Sequence, residues 1–404
     1  MKAGWKTVKL GEACKIVNGA TPSTSVEANW GGPHCWITPA EMGGLSDPHV
    51  SETRRTLTDV GLADCSASLL PEGSVILSSR APIGHVIINT VPMATNQGCK
   101  SMIPRSDLDA KFLFYFIKAN VPLLESLGTG ATFKELSGGK LASVEIPLPP
   151  LAEQKRIVAL LDDAFAGIDE AKAKAEANLE NAHALFESRL EDAFISTDTD
   201  WTDASLTDVL EKQPQNGWSP PAANHSESGT PVLTLSSVTG FKFKPDKIKH
   251  TSAKVDTSKG YWINNGDLVI TRSNTPELVG HVAIVAGISV PTIYPDLIMR
   301  MTPKQSRATT AFLYYQLRTR KLRKLITGRA QGANPTMKKI SNEAVRTLPI
   351  SLPSLVKQDE IVKGIYVIES ASQGLSSNFN RTLAALSELK ASILAQAFAG
   401  ELTA

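Results

Sequence analysis

Two patterns of apolar residues alternate along the chain, and the alternation occurs twice. Short runs such as "SVILSS" (Ser74–Ser79), "HVIIN" (His85–Asn89) and "VEIPLP" (Val144–Pro149) are rich in Val and Ile and bounded by Gly and Pro. They predict strands. "LDAKFLFYFIKANVPLLESL", from Leu108, has helical spacing with a break at Pro122. After Pro149 and Pro150 the pattern changes. From Gln154 to Phe194 there is no proline, and Ile157, Leu161, Ala164, Ile168, Ala171, Ala175, Ala182, Leu185 and Ala193 step by threes and fours or their multiples. A second such stretch runs from Gln358 to Phe398 through Ile361, Ile365, Ile368, Leu375, Phe379, Leu383, Leu386, Ile393 and Ala397. Proline is tolerated where a helix starts, because its missing N–H has no partner there. Each stretch predicts a helix about 62 Å long with one coiled-coil-like apolar seam. A helix with a single apolar stripe needs a partner. Packing on its own globular domain is one solution. Two matched lengths favour an antiparallel pair, which would place the globular parts at opposite ends.

The alternation is a tandem repeat. "WKTVKLGEAC" at Trp5 matches "WTDASLTDVL" at Trp201, and "FLFYFIKA" at Phe112 matches "FLYYQLRT" at Phe312. "SVILSSRAPIGHVII" matches "DLVITRSNTPELVGHVAIV". "LPPLAEQKRIV" has a degenerate copy, "LPSLVKQDEIV", and "LFESRLEDAF" is followed by "LKASILAQAF". The order is the same in both halves. The expected fold is α+β, with two similar globular α/β domains separated by two long antiparallel helices in a pseudo-twofold repeat. The boundaries read as a domain over 1–150, a helix over 151–197, a domain over 198–355 and a helix over 356–404.

Composition adds little until charge is resolved by segment. The 404 residues are 42% hydrophobic and 20% charged, as in soluble globular proteins. No apolar run is long enough to cross a bilayer, and the N-terminus lacks a signal-peptide h-region. Cys14, Cys35, Cys65 and Cys99 form no C-x-x-C pair. A cytoplasmic protein with reduced thiols and no metal is expected. The net charge of +2 conceals an asymmetry. Residues 1–150 carry 13 basic and 13 acidic side chains, 151–200 carry 5 and 12, 201–355 carry 20 and 10, and 356–404 carry 4 and 5. The excess of the second domain lies in "FKFKPDKIK" (Lys242, Lys244, Lys247, Lys249) and "RTRKLRKLITGR" (Arg318, Arg320, Lys321, Arg323, Lys324, Arg329). Arg272, Lys338 and Lys339 add to it. Clustered cations among aromatics mark a polyanion site, most often nucleic acid. A solvated helix face is the plainer alternative. In the first domain the candidates are isolated: Arg54, Arg55, Arg80, Lys100, Lys134 and Lys140.

No motif for catalysis appears. There is no phosphate-binding loop, no G-x-G-x-x-G, no histidine pair at ligand spacing and no N-P-P-[FY]. Pro245-Asp246 and Pro295-Asp296 could each open a nuclease carboxylate cluster, but neither is followed by an acidic-x-Lys step in its own domain. No catalytic residue is assigned. A stand-alone DNA-modifying enzyme and a coiled-coil adaptor without DNA binding remain as alternatives.

"LPPLAEQKRIV" with its copy, the paired helix ends, "SRAPIGHV" and "NQGCKSMIP" together resemble the specificity subunits of Type I restriction–modification systems, over nearly the whole chain. The second copy departs from the pattern at Ser354, Lys357, Asp359 and Glu360. The resemblance implies that each globular half is a target recognition domain for one part of a split, asymmetric double-stranded DNA sequence. It implies helices that space the two halves and dock two methyltransferase subunits, which in turn recruit restriction subunits. S-adenosylmethionine, ATP and magnesium would then sit on those partners, with no cofactor on this chain and no membrane contact.

Overall fold

The computed structural model describes residues 4–130, 134–195, 200–332 and 336–402. Two compact units form, Met1–Glu176 with Asn380–Ala404, and Ala177–Phe379. In the first, β1 (Cys14–Asn18), β2 (His49–Val50), β3 (Val75–Ser79), β4 (Ile83–Asn89) and β5 (Cys99–Pro104) make one sheet in the order β1-β5-β3-β4-β2. Helix α1 (Ala110–Ala119) packs on β4 and buries Phe112, Leu113, Phe116 and Ile117. Its N-terminus is capped by Asp109, whose carboxylate accepts from the Lys111 and Phe112 amides. The helical pattern breaks at Asn120 and resumes over Val121–Leu127, with Pro122 in the first turn of the new helix. The long helix α2 spans Leu151–Ala193.

The second unit repeats this plan. Strands β6 (Leu210–Asn216), β7 (Leu268–Thr271), β8 (Val282–Ile284) and β9 (Ile298–Pro303) take the order β6-β9-β7-β8. Leu268 pairs with Met301 as Val75 pairs with Met102. Helices α3 (Thr310–Gln316) and α4 (Arg320–Arg329) follow, and then α5 (Leu355–Ala399).

The doubled motif before each long helix acts as a fastening. In both units the first strand pairs antiparallel with the last: Lys6–Lys9 with Glu145–Leu148, and Thr202–Ser205 with Pro349–Leu352. The prolines that follow end the ladder, and the chain turns directly into the helix. Gln154, fully buried, then reaches back across the fold. Its Nε2 donates to the carbonyls of Asp107 and Pro149 at 2.8 Å, and its Oε1 accepts from the Asp109 amide. Gln358 does the same with the carbonyls of Arg307 and Pro353 and the Thr309 amide. Every polar atom of each buried amide is satisfied, as burial requires. One glutamine thus locks the cap of α1 or α3 to the root of α2 or α5.

Within each unit the long helices run antiparallel. In the first, Ile157, Leu161, Phe165, Ile168 and Ala397 join one core with half-buried Leu386, Ile393 and Phe398. Arg156 donates to the Leu402 carbonyl, and Lys390 meets Asp169 at 2.9 Å. In the second, Phe186, Leu190 and Ile365 pack with Tyr315, with half-buried Ile361 and Ile368 against them, and the Ser372 hydroxyl donates to the Ala182 carbonyl. A buried Ile or Leu in such a seam contributes ~1.5–3 kcal/mol. The seam differs from the expected one at Leu185, which is 51% exposed. Contacts here step by four, through Ala182, Phe186 and Leu190, so Leu185 turns outward. Leu375 is exposed for the same reason, while Phe379 and Leu383 are half-buried and join none of the cores. No helix among the described residues is long and apolar enough to cross a membrane.

Candidate nucleic-acid interface

The ends of β1 and β3 and the starts of β4 and β5 converge at one end of the first sheet. Asn18, Arg80 and Lys100 therefore meet there. Glu135 is brought to them by paired amide–carbonyl bonds with Thr129, by a bridge to Arg80 and by the Leu136 amide on the Ser79 carbonyl. The Glu135 carboxylate lies 3.8 Å from Arg80 Nη1 and 3.6 Å from Lys100 Nζ. Lys134 is exposed beside it. A cleft of about 480 Å³ opens between Asn18, Lys100, Thr129, Glu135, Ser137 and Gly138. The segment leaving β1 leads to a second sheet of Trp30–Ile37, Arg55–Leu57 and Met93–Thr95, and the Trp36 indole N–H donates to the Ala20 carbonyl. The Arg55 guanidinium sits 3.5 Å over the Trp30 ring, a cation–π contact. Arg54 is exposed, with its amide on Glu41.

The same sheet end recurs in the second unit. Ser273 and Asn274 pair with Lys339 and Lys338, and the Ile340 amide donates to the Arg272 carbonyl. Arg272 is half-buried and reaches the Asp296 carbonyl, while Lys338 Nζ donates to the Gly332 carbonyl. Lys339 is exposed. Directly after β6, Trp218 stacks on Tyr261 with ring centroids 5.5 Å apart. Sequence reasoning passed over Glu135, Trp30, Trp218 and Tyr261. The aromatics were signalled by position, since each lies within a few residues of a strand end; Glu135 has the wrong sign for a phosphate contact.

The long basic run of the second domain is divided by its packing. Arg320, Lys321 and Lys324 are exposed on α4. Arg318 is not available to a phosphate, being 8% exposed. Its Nη1 donates to the Tyr314 hydroxyl at 2.6 Å and to Glu369 at 2.8 Å, and Phe186, Phe241, Tyr314 and Tyr315 surround it. Arg323 donates to the Glu277 and Val279 carbonyls, and burial lowers its pKa to about 10. Beside it, burial and then Arg323 push His281 down to about 4, so the imidazole is neutral and its Nδ1 accepts the Gly240 amide. Arg329 is spent on the Ala344 carbonyl and the Thr347 hydroxyl. In "FKFKPDKIK", Lys244 turns back to the Thr239 carbonyl, Lys247 pairs with Asp246 and Lys249 meets His225. Lys242 is exposed and lines a cleft of about 880 Å³ beside Arg318. In the first unit Lys140 is tied to the Leu127 carbonyl. Arg323, Arg329, Lys244 and Lys140 thus satisfy backbone carbonyls.

Cys14 and Cys99 are buried, and burial pushes both thiols up to about 12. No grouping of His, Cys, Asp and Glu fit to hold a metal occurs among the described residues.

A duplicated scaffold that presents cations at the same sheet end in each unit, with partly exposed aromatic groups in both, has the chemistry of a polyanion reader. The sequence places it more closely: residues 2–181 and again 198–376 match the type I restriction modification DNA specificity domain, and the chain belongs to that family. Such chains are the specificity subunits, which select DNA while other subunits carry catalysis. The chain is 25% identical to the EcoKI specificity subunit of Escherichia coli K12 over 99% of its own length and 90% of that protein's. It is 33% identical to the MjaIX specificity subunit of Methanocaldococcus jannaschii, over 53% of this chain and about half (49%) of that one. The crystal structure of the HsdS subunit from Thermoanaerobacter tengcongensis shares the fold end to end, with a TM-score of 0.58 at 19% identity, covering 100% of this chain and 98% of that one. A chain from a structure of type I R-M complex assembly gives a TM-score of 0.78, also at 19% identity, covering 100% of this chain and 99% of that one.

Proposed function

We propose that each unit reads one half of a bipartite, asymmetric double-stranded DNA target at its sheet end, and that the chain docks two methyltransferase subunits and, through them, restriction subunits. One observation carries this reading. The two units pair the same strand ends at equivalent positions but carry different side chains there, Arg80, Lys100 and Glu135 against Ser273, Met299 and Lys339. A shared scaffold with unlike side chains suits two unlike half-sites, because bases are read by side chains at groove edges. Val356, Tyr366 and Val367, all more than 60% exposed on α5, support a partner on that helix. S-adenosylmethionine, ATP and magnesium belong on the partners in this reading, and the complex acts in the cytoplasm.

The test is an exchange. Residues 201–350 are replaced by the second domain of another family member, and the methylated motif is mapped in cells that also carry the methyltransferase subunit. One half of the motif should change and the other persist. Loss of both halves together would sink the modular reading.

Phosphate contacts are tested separately. Replacing Lys321 and Lys324 with alanine should weaken binding to all sequences alike and lower the slope of log affinity against log salt by about 0.9 per contact. Arg318→Gln should leave that slope unchanged, since its guanidinium is already engaged. An unchanged slope in the double lysine variant would make this helix face a solvated or partner-facing surface.

A further inference from the structure

The cluster of Arg80, Lys100 and Glu135 differs from the closely engaged ion pairs of the first unit. Lys100 is buried, with its side chain 9% exposed, yet its ammonium makes no hydrogen bond within 3.5 Å among the described residues. Its ionic partner, Glu135, stands at 3.6 Å and is shared with Arg80 at 3.8 Å. Both distances exceed hydrogen-bond length, so both cations keep their donors. By contrast, Lys111 with Asp162 and Arg156 with Glu153 close to 2.7 Å. The stem of Lys100 is buried while its ammonium opens on a cleft, where idle donors are free to take acceptors from a ligand. Lys100 and Glu135 line an open cleft together with Asn18, Thr129 and Ser137, and Arg80 joins them through the shared carboxylate.

The order of groups is also informative. A guanidinium lies beside a carboxylate, and a second cation lies behind. In the major groove a G·C pair presents guanine O6 and N7 as acceptors and, beside them, the cytosine N4 amino group as a donor. Arginine pairs in two-point fashion with the first and a carboxylate accepts from the second. The second unit offers no such set at the same backbone positions. Ser273 replaces Arg80, Met299 replaces Lys100 and Lys339 replaces Glu135.

We propose that Arg80 and Glu135 select one G·C pair in the half-site read by the first unit, with Arg80 donating to guanine and Glu135 accepting from cytosine. Lys100 is a positioning residue, which holds the carboxylate aimed at the cleft. The assignment rests on the DNA-reading function proposed above and adds a particular base pair to it.

The experiment compares complexes of the full chain with its methyltransferase subunit, wild type, Glu135→Gln and Arg80→Lys, expressed in a methylation-free host. The methylated motif is mapped for each. The wild type should show a G·C pair in the half that is kept when residues 201–350 are exchanged. Each variant should accept other pairs at that one position, with the preference for G·C falling at least about fivefold. All other positions, including the whole second half-site, should be kept, which also shows that the variants fold. A motif left unaltered by either variant would make the cluster a structural tie between strand ends and overturn the proposal. A change in the other half, or loss of methylation everywhere in both variants, would overturn it too, because a group that reads one pair is not needed for the rest. A wild-type complex that methylates no defined motif would instead overturn the DNA-reading function itself.

Discussion

Replacing Glu369 with alanine should lower the unfolding free energy of the chain by about 3–5 kcal/mol. Glu369, on α5, holds Arg318 at 2.8 Å, and the two side chains are 16% and 7% exposed. The guanidinium is enclosed by Phe186, Phe241, Tyr314 and Tyr315. Removing the carboxylate leaves a charge that cannot return to water without opening this aromatic box. The Tyr315 hydroxyl, which donates to the other carboxylate oxygen at 2.7 Å, loses its acceptor as well. Burial and that bond hold the Tyr315 phenol above its ordinary range, so it stays a neutral donor. The first unit contains a matched control. Asp162 accepts from Tyr115 and Lys111 at the corresponding root of α2, but Lys111 and Asp162 are each 35% exposed. Asp162→Ala should therefore cost less, because its partners can be rehydrated. Urea unfolding of both variants decides the matter. If Glu369→Ala costs no more than Asp162→Ala, burial of the pair does not set its contribution.

A proline at Ala175 should abolish normal spacing of the two half-sites. Ala175 is 5% exposed and lies in the middle of α2, far from either capped end. Proline there removes a helical hydrogen bond and clashes with the preceding turn, at a cost of ~3 kcal/mol or more. The milder companion experiment tests the helices as a ruler, which rests on the proposed function. Inserting seven residues into both long helices at matched positions keeps the apolar seams in register and lengthens each by about 10.5 Å. At about 3.4 Å per base pair, the gap between half-sites should grow by roughly three base pairs if the helices lie along the DNA. The same shift rotates the far half-site by about a third of a turn, so the growth should be smaller or the methylation rate should fall. The measurement is the methylated motif and its rate of modification. An insertion that leaves both untouched would show that the helices do not set the distance.

The difference between Arg318 and Lys321 illustrates where reading a sequence stops. Both lie in "RTRKLRKL", and local pattern makes them equivalent. One is caged and the other is free because of Glu369, 51 residues away in the chain, and Phe241, which approaches from the opposite direction. Glu135 fails in the same way, since its meaning depends on Arg80 and Lys100, brought to it by strand pairing.

What the sequence alone determined is whatever repeats at short range. The strands follow from Val- and Ile-rich runs, the long helices from apolar steps of three and four, their starts from paired prolines, and the duplication from ordered matches. The strands and helices depend on backbone preferences and periodicity, which act between residues a few positions apart, and the duplication is the same local patterns written twice. Even the glutamine of the helix-start motif was visible as a repeated letter. Its task, capping one helix from the root of another through Asp109 or Thr309, was not. Only the tertiary structure decided which seam positions face inward, so that Phe186 and not Leu185 is buried, and which cations keep idle donors. The physical reason is that burial and ion pairing are set by groups remote in the chain. A side chain's charge is written in the sequence, but whether that charge is already neutralised depends on what the fold lays against it.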